Sequence, residues 1–95
     1  MIKSFADRNT ETIFSGEAVK KIDKNLQKRV LRRLRYIDAA KAISDLTVPP
    51  SNRLEKLKGN LKEFYSIRVN DQWRIIFKWN EENSIAEEVK FTDYH

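Results

Sequence analysis

The sequence predicts an α+β fold in which helices come first, an antiparallel sheet follows, and one long helix covers a face of the sheet. Apolar residues recur with a helical period in the first half of the chain and with a period of two in the second half. Between the halves, Pro49 and Pro50 stop any helix, because proline lacks the amide donor. The 95 residues are expected to form one domain, 1–95, with a modest core.

The first predicted elements are short. Residues Ile2 to Phe5 form a weakly alternating pattern that predicts a short strand. A short helix is expected next, capped by Asn9 or Thr10 and ending near Gly16.

The clearest element is an amphipathic helix from about Asp23 to Ile43. Its apolar residues recur at spacings of three and four, which places them on one stripe of the helix. The stripe consists of Ile22, Leu26, Val30, Leu34 and Ile37, flanked by Leu31 and Ala40. The outer face carries Lys24, Lys28, Arg32 and Arg35. A basic helix face is most often simply solvated, but the charge density here favours binding of RNA phosphates.

The second half is predicted to form strands that are rich in aromatic and β-branched residues. Gly59 and Asn60 provide the turn after the first predicted strand, Leu54–Lys58. In the last strand we expect Ile85, Val89 and Phe91 on one side. The predicted strands are Leu54–Lys58, Phe64–Val69, Trp73–Trp79 and Ile85–Thr92.

The apolar residues of the central hairpin fix its register. A three-residue loop at 70–72 places Ile67 opposite Ile75, so that both face the core. The same register places Arg68 directly opposite Arg74. A two-residue loop would instead pair Ile67 with Arg74 and break the pattern.

Two like charges directly opposite each other in a sheet are destabilising, so a compensating group is expected near the two arginines. One candidate is a phosphate, which guanidinium groups bind in a forked geometry. Alternatively, both side chains extend into water, or they pair with Glu88 on the next strand. The strand pattern leaves these alternatives open.

The composition excludes several kinds of site. The chain has no cysteine, which excludes a disulfide and a cysteine zinc site. It has one histidine, His95, which excludes a histidine-rich metal site. There is no apolar run of spanning length and no basic-then-apolar leader, so we expect a soluble, untargeted protein.

The charge is basic and unevenly distributed. The formal net charge is +5, from 19 Lys and Arg against 14 Asp and Glu, and the isoelectric point is about 9.6. Eight basic residues fall between Glu17 and Tyr36, whereas the chain from Glu81 onward is mainly acidic. Such a balance indicates nucleic acid, an anionic membrane surface or an acidic protein as the partner.

The end of the chain, Asp93-Tyr94-His95, follows the last predicted strand. Histidine titrates near neutrality and suits proton transfer, and tyrosine donates a proton or stacks on a base. Lys58 is presented beside the sheet by the turn that follows it. The alternatives are a disordered tail and an ordinary surface lysine, which is the commoner case.

Taken together, these residues resemble the HigB toxins of the RelE superfamily over essentially the whole chain. Two shorter stretches, MIKSF at 1–5 and IDAA at 37–40, fit the same pattern. The main motifs are PPSNRLEKLKG at 49–59, YSIRVNDQWRI at 65–75 and the closing DYH at 93–95.

The resemblance implies a RelE-like fold, with two N-terminal helices packed on one face of a small, mostly antiparallel sheet. It implies cleavage of messenger RNA on the ribosome without a metal or other cofactor, in the cytoplasm. It also implies a HigA-like helix-turn-helix antitoxin as partner, with operator DNA bound only through that antitoxin. The active-site roles of the family fall on Lys58, Arg68, Arg74, Tyr94 and His95, with Asp93 in the same closing motif.

The implied chemistry is attack of a 2′-hydroxyl on the adjacent phosphorus. Arg68 and Arg74, assisted by Lys58, are expected to bind the phosphate. His95 is the leading acid–base residue. Some HigB toxins carry a histidine where this chain has Glu55, which makes Glu55 an alternative base. Tyr94 is expected to stack on or orient the substrate, Asp93 to orient His95 or shape the tail, and Arg53 to join the RNA-binding residues.

Two other functions remain as alternatives. ParE-like proteins share the superfamily fold but inhibit DNA gyrase by binding, without catalysis. A basic RNA-binding module without activity is the second alternative, and its binding would survive the loss of His95.

Overall fold

A computed structural model describes residues 1–93, so Tyr94 and His95 lie outside the described residues. Two helices are followed by a four-stranded antiparallel sheet with strand order β1-β2-β3-β4. The predicted α+β class, with both helices on one face of the sheet, is confirmed. The elements are α1 (Arg8–Phe14), α2 (Lys24–Ala39), β1 (Glu55–Lys56), β2 (Phe64–Arg68), β3 (Trp73–Asn80) and β4 (Ile85–Asp93).

The N-terminal segment lies along the outer edge of β4 in a parallel orientation. It forms two isolated bridges, Ile2 with Ala86 and Phe5 with Val89, rather than the continuous strand predicted over these residues. The Lys3 amide donates to the Ala86 carbonyl at 2.8 Å. These two bridges are parallel, whereas the four strands of the sheet pair antiparallel.

The N-cap of the short helix α1 lies earlier in the chain than predicted. Its N-cap is Asp7, whose carboxylate accepts from the Thr10 amide at 2.8 Å, so the prediction of Asn9 or Thr10 as cap is wrong. A carboxylate in the cap position satisfies an amide that has no partner within the helix. The helix ends at Phe14, shortly before Gly16, as expected.

The long helix α2 begins as predicted, with the Asp23 carboxylate accepting from the Leu26 amide at 3.0 Å. The helix ends at Ala39, four residues before the predicted Ile43. The Asp45 carboxylate accepts from two amides just beyond the helix and starts a separate 3₁₀ turn at Ile43–Thr47. These backbone hydrogen bonds also lower the pKa of Asp45. The apolar run therefore continues into a second element that the periodicity did not separate from the helix.

The hairpin register is the predicted one. Ile67 lies opposite Ile75 and Arg68 lies opposite Arg74. The loop is held by the side-chain oxygen of Asn70, which accepts from the amides of Gln72 and Trp73 at 2.8 Å each.

The first and last strands differ from their predictions. β1 covers only Glu55–Lys56, because the chain turns into a 3₁₀ helix at Gly59–Leu61. In β4 the register advances by three residues, from Glu87 to Lys90, while β3 advances by two, from Lys78 to Ile76.

This β-bulge corrects the predicted faces of β4. Glu88, within the bulge, has a positive φ of 52°. The extra residue reverses the alternation, so Ala86 instead of Ile85 shares the buried side with Val89 and Phe91. The prediction that Ile85 faces the same way as Val89 is therefore wrong.

The core lies between α2 and the sheet. The predicted stripe is confirmed, since Val30, Leu34 and Ile37 are completely buried and pack with Ile67 and Ile75. Burial of one such side chain contributes about 1.5–3 kcal/mol. No helix within residues 1–93 has the length and apolar character that crossing a membrane requires.

A buried hydroxyl joins α1 to the sheet. Thr10 is completely buried, and its Oγ1 accepts from the Phe91 amide of β4 at 3.1 Å. Thr10→Val keeps the shape of the side chain but leaves this buried amide without an acceptor. We expect the free energy of unfolding to fall by about 1–3 kcal/mol, measured by urea denaturation.

The control for this prediction is Thr10→Ser, which keeps the hydroxyl and loses only a methyl group. It should cost about 1 kcal/mol or less. A larger loss for Thr10→Ser than for Thr10→Val would show that the methyl contact, and not the hydrogen bond, joins the two elements.

Candidate active site

The sheet face that points away from the helices carries the candidate site. Residues directly opposite each other in neighbouring strands share a face, and Ile67 and Ile75 occupy the helix-covered face. The alternate residues therefore project from the other side. We call this side the open face; it carries Glu55 opposite Ser66, Arg68 opposite Arg74, and Arg74 opposite Thr92. Three residues predicted for catalysis, Glu55, Arg68 and Arg74, are thus brought together.

Arg74 is oriented by the neighbouring strand. Its Nη1 lies 3.4 Å from the hydroxyl oxygen of Ser66, which accepts the hydrogen bond. Ser66 is completely buried, whereas Arg74 is half-buried. This hydrogen bond uses one of the five N–H donors that an arginine side chain carries.

Arg68 has an ionic partner that the sequence analysis missed. Its Nη2 pairs with the carboxylate of Asp71 in the hairpin loop. The Asp71 side chain is 95 % exposed, whereas that of Arg68 is only 28 % exposed. This pair offsets part of the repulsion between the two arginines. Glu88, the alternative partner considered from the sequence, pairs with Lys78 at 2.9 Å instead.

Glu55 and Lys58 line a common open cavity. Its volume is about 490 Å³, and Leu57 and Leu61 complete its wall together with Lys56. Lys58 and Glu55 are both exposed.

The chain leading into β1 is anchored by Asn52, a buried residue whose amide group donates to the carbonyls of Leu46 and Val48.

Asp93 lies on a different face from the arginine pair. It is the register partner of Trp73, so it shares the helix-covered side, and its carboxylate accepts from the Gln72 side chain at 3.1 Å. Thr92 is the residue of β4 that lies beside Arg74. The catalytic assignments of Tyr94 and His95 concern residues outside 1–93.

The outer-face residues of α2 lie away from the open face. Lys24 and Lys28 line a largely apolar cavity between the two helices, with Ile13 and Leu31. Arg32 and Arg35 are exposed, as is Arg53, which follows the 3₁₀ turn at 50–52. None of these five residues lines the cavity of Glu55.

Two arginines of α2 that the sequence analysis did not select do approach the site. Arg29 and Arg33 line a cavity of about 300 Å³ with Arg68 and Asp71, which we call the arginine cleft. The Arg33 Nε donates to the Arg68 carbonyl oxygen at 3.3 Å. The remaining residues of the cleft are Ser51, Val69 and Asn70.

The sequence contains a signal for this pair. Arg29 and Arg33 immediately precede the buried Val30 and Leu34 at a spacing of four, so they flank the apolar stripe instead of opposing it. Partial burial lowers the pKa of Arg33, and the positive charges of Arg29 and Arg32 act in the same direction.

The fold and the cationic face define a small basic α+β domain with a surface suited to anions. The solution structure of the conserved hypothetical protein HP0894 from Helicobacter pylori has the same fold, with a TM-score of 0.52. The alignment covers 96 % of this chain and 94 % of that one at 15 % sequence identity, which supports the fold alone.

The chain belongs to the HigB-like toxin family, the RelE-like toxins of type II toxin–antitoxin systems, whose model matches residues 3–95. Toxin HigB-1 of Vibrio cholerae is 42 % identical over 80 residues, covering 83 % of this chain and 84 % of the relative. Endoribonuclease HigB of Proteus vulgaris is 32 % identical over 95 residues, the full length of both chains. Membership of this family implies an antitoxin partner.

The ion pair between Glu88 and Lys78 generates a testable prediction. The side-chain hydrogen bond from Lys78 to Glu88 is the main cause that raises the pKa of Lys78. A raised folded-state pKa means that the pair stabilises the protein at neutral pH and that this stabilisation is lost as the pH rises through that pKa. Glu88→Gln is expected to lower the pKa of Lys78, measured by NMR titration of its side chain.

Glu63→Gln is the matched control. The Glu63 carboxylate lies 3.8 Å from the Lys78 Nζ, against 2.9 Å for Glu88. Its removal should lower the pKa of Lys78 by less. Equal shifts in both variants would contradict the assignment of Glu88 as the main partner of Lys78.

Proposed function

We propose that this chain is an endoribonuclease that cleaves messenger RNA on the ribosome without a metal or other cofactor, as the toxin of its toxin–antitoxin pair. The observation that carries the proposal is the register of β2 and β3, in which Arg68 and Arg74 stand opposite each other on the open face beside Glu55. The family membership and the relative named Endoribonuclease HigB support it.

The proposed reaction is transesterification within the RNA strand. A base removes the proton of a 2′-hydroxyl, and the oxygen attacks the adjacent phosphorus. The bond from phosphorus to the 5′-oxygen breaks, an acid protonates that oxygen, and a 2′,3′-cyclic phosphate remains. The transition state carries additional negative charge on the phosphoryl oxygens, so positioned cations accelerate the reaction.

Arg68 and Arg74 bind the reacting phosphate, and Lys58 assists them. Arginine suits this role because its planar guanidinium donates two parallel hydrogen bonds to phosphate oxygens. Arg74, held at Ser66, is oriented before substrate arrives. Arg68 exchanges its contact with Asp71 for one with the phosphate.

Proton transfer is assigned to His95, with Glu55 as the alternative base. Glu55 lies on the same face as the arginines, and a carboxylate can serve as a general base. Tyr94 stacks on or orients the substrate, and Asp93 orients His95 or shapes the end of the chain. The cations that bind RNA farther from the reacting phosphate are Lys24, Lys28, Arg32, Arg35 and Arg53.

The proposed antitoxin is a HigA-like helix-turn-helix protein, and the toxin meets operator DNA only through it. The toxin acts in the cytoplasm, where its ribosome and messenger RNA are found. ParE-like inhibition of gyrase and RNA binding without catalysis both predict that no messenger RNA is cleaved, and only gyrase inhibition predicts a DNA-damage response.

The role of Arg74 is tested by Arg74→Ala. Loss of one transition-state donor typically lowers the rate by about a hundredfold or more, so growth arrest on expression should nearly disappear. The measurement is growth together with the cleavage rate of messenger RNA. Arg8→Ala, which removes an exposed arginine at the start of α1, is the control. A stably folded Arg74→Ala protein that still arrests growth would show the assignment to be wrong.

The role of His95 is tested on programmed ribosomes with the intact chain and a chain lacking His95. We expect cleavage by the intact chain and its loss on truncation. Cleavage by both would move proton transfer to Glu55 or Tyr94. Absence of cleavage by either, together with a DNA-damage response in cells, would favour gyrase inhibition over ribonuclease activity.

A further inference from the structure

Arg29 and Arg33, the two residues that α2 contributes to the arginine cleft, have no role in the reaction described above. The cleft lies between α2 and the loop end of the β2–β3 hairpin. Arg68 connects the two surfaces, since its carbonyl oxygen accepts from Arg33 in the cleft while its register partner on the open face is Arg74. A ligand in the cleft would therefore lie next to one bound on the open face.

The charge balance of the cleft is strongly positive. Its lining residues include three arginines, Arg29, Arg33 and Arg68, and one acidic residue, Asp71. Asp71 pairs with Arg68, so Arg29 and Arg33 have no acid among the residues that line the cleft. The hydroxyl of Ser51 and the side chain of Asn70 add polar groups at its wall.

Arg33 is held in place within the cleft. Its Nε donates to the Arg68 carbonyl, which fixes the guanidinium against the end of β2. The residue is half-buried, whereas Arg29, one turn earlier on the same helix face, is exposed. A fixed and partly desolvated guanidinium binds an anion more strongly than a solvated one, because competition from water is weaker.

We propose that the arginine cleft binds a backbone phosphate of RNA, next to the phosphate on the open face, with Arg29 and Arg33 as the donors. This inference rests on the proposed function for the identity of the ligand as RNA, but phosphate binding itself does not require cleavage. The phosphodiester belongs either to the messenger RNA or to ribosomal RNA, which present the same chemistry.

Asp71 competes with the phosphate for the cleft. Its carboxylate already pairs with Arg68 at the rim, where it is almost fully exposed. Replacing it by asparagine removes the negative charge and releases Arg68 for the anion. Asp71→Asn and the arginine variants should therefore change RNA affinity in opposite directions.

The test measures binding of a 2′-O-methyl RNA of about twelve nucleotides, which lacks the attacking hydroxyl and cannot be cleaved. Arg29→Gln and Arg33→Gln should each weaken binding about tenfold, as for the loss of a hydrogen bond to a charged group. Each should also reduce the slope of log affinity against log salt by about 0.7, the contribution of one phosphate contact on a single strand. Asp71→Asn should strengthen binding and steepen the slope.

Two control variants distinguish phosphate binding in the cleft from a general effect of net charge or of replacing Arg33. Arg8→Gln removes the same charge from the exposed first turn of α1 and should leave affinity within about twofold of the parent. Arg33→Lys keeps the charge and should recover most of the salt slope. If Arg33→Lys binds as weakly as Arg33→Gln, or if Arg8→Gln weakens binding as much as the cleft variants, the proposal is wrong.

A second arm identifies the source of the phosphate. Binding of the same variants to vacant ribosomes is measured beside binding to the oligonucleotide. Loss with the oligonucleotide supports a messenger RNA phosphate, and loss only with ribosomes supports a ribosomal RNA phosphate. No loss with either overturns the proposal. If the Arg74→Ala protein still arrests growth while the cleft variants lose affinity, the proposed function fails and the cleft stands.

Discussion

The burial of Ile67 opposite Ile75 is the constraint on which the rest of the site depends. Both side chains are completely buried under α2, so the hairpin has one register that keeps them in the core. A slip of one residue would bring an arginine into that core and expose an isoleucine, at a cost of several kcal/mol. The position of Arg68 opposite Arg74 is therefore a consequence of apolar packing, although it is electrostatically unfavourable by itself.

The structure offsets part of this repulsion through local partners. Ser66 accepts a hydrogen bond from Arg74, and Asp71 pairs with Arg68 from an exposed loop position. An exposed ion pair is weak and exchanges readily with another anion. A surface with two cations close together is suited to a ligand that carries more charge than a carboxylate, such as a phosphodiester approaching its transition state.

The two faces of the sheet divide structural and chemical roles along each strand. α2 covers one face with its apolar stripe, and the residues between the buried ones project from the other. At the end of β2 these surfaces meet, because Arg33 reaches from the covered side to the Arg68 carbonyl. The long helix thus contributes Leu34 to the core and Arg33 to the arginine cleft.

The sequence by itself determined the fold class, the buried stripe of α2 and the hairpin register, because each follows from the spacing of apolar residues. It also determined that Arg68 faces Arg74. It did not determine the cap at Asp7 or the end of α2 at Ala39, since these depend on hydrogen bonds that periodicity does not contain. Nor did it determine the bulge at Glu88, because an extra residue in one strand changes the alternation without a signal in the spacing. Only the tertiary structure decided that Asp71 pairs with Arg68 and that Arg29 and Arg33 line a cleft with the hairpin. The periodicity of a helix shows which residues lie beside its apolar stripe, but it does not show which strand or loop packs next to them.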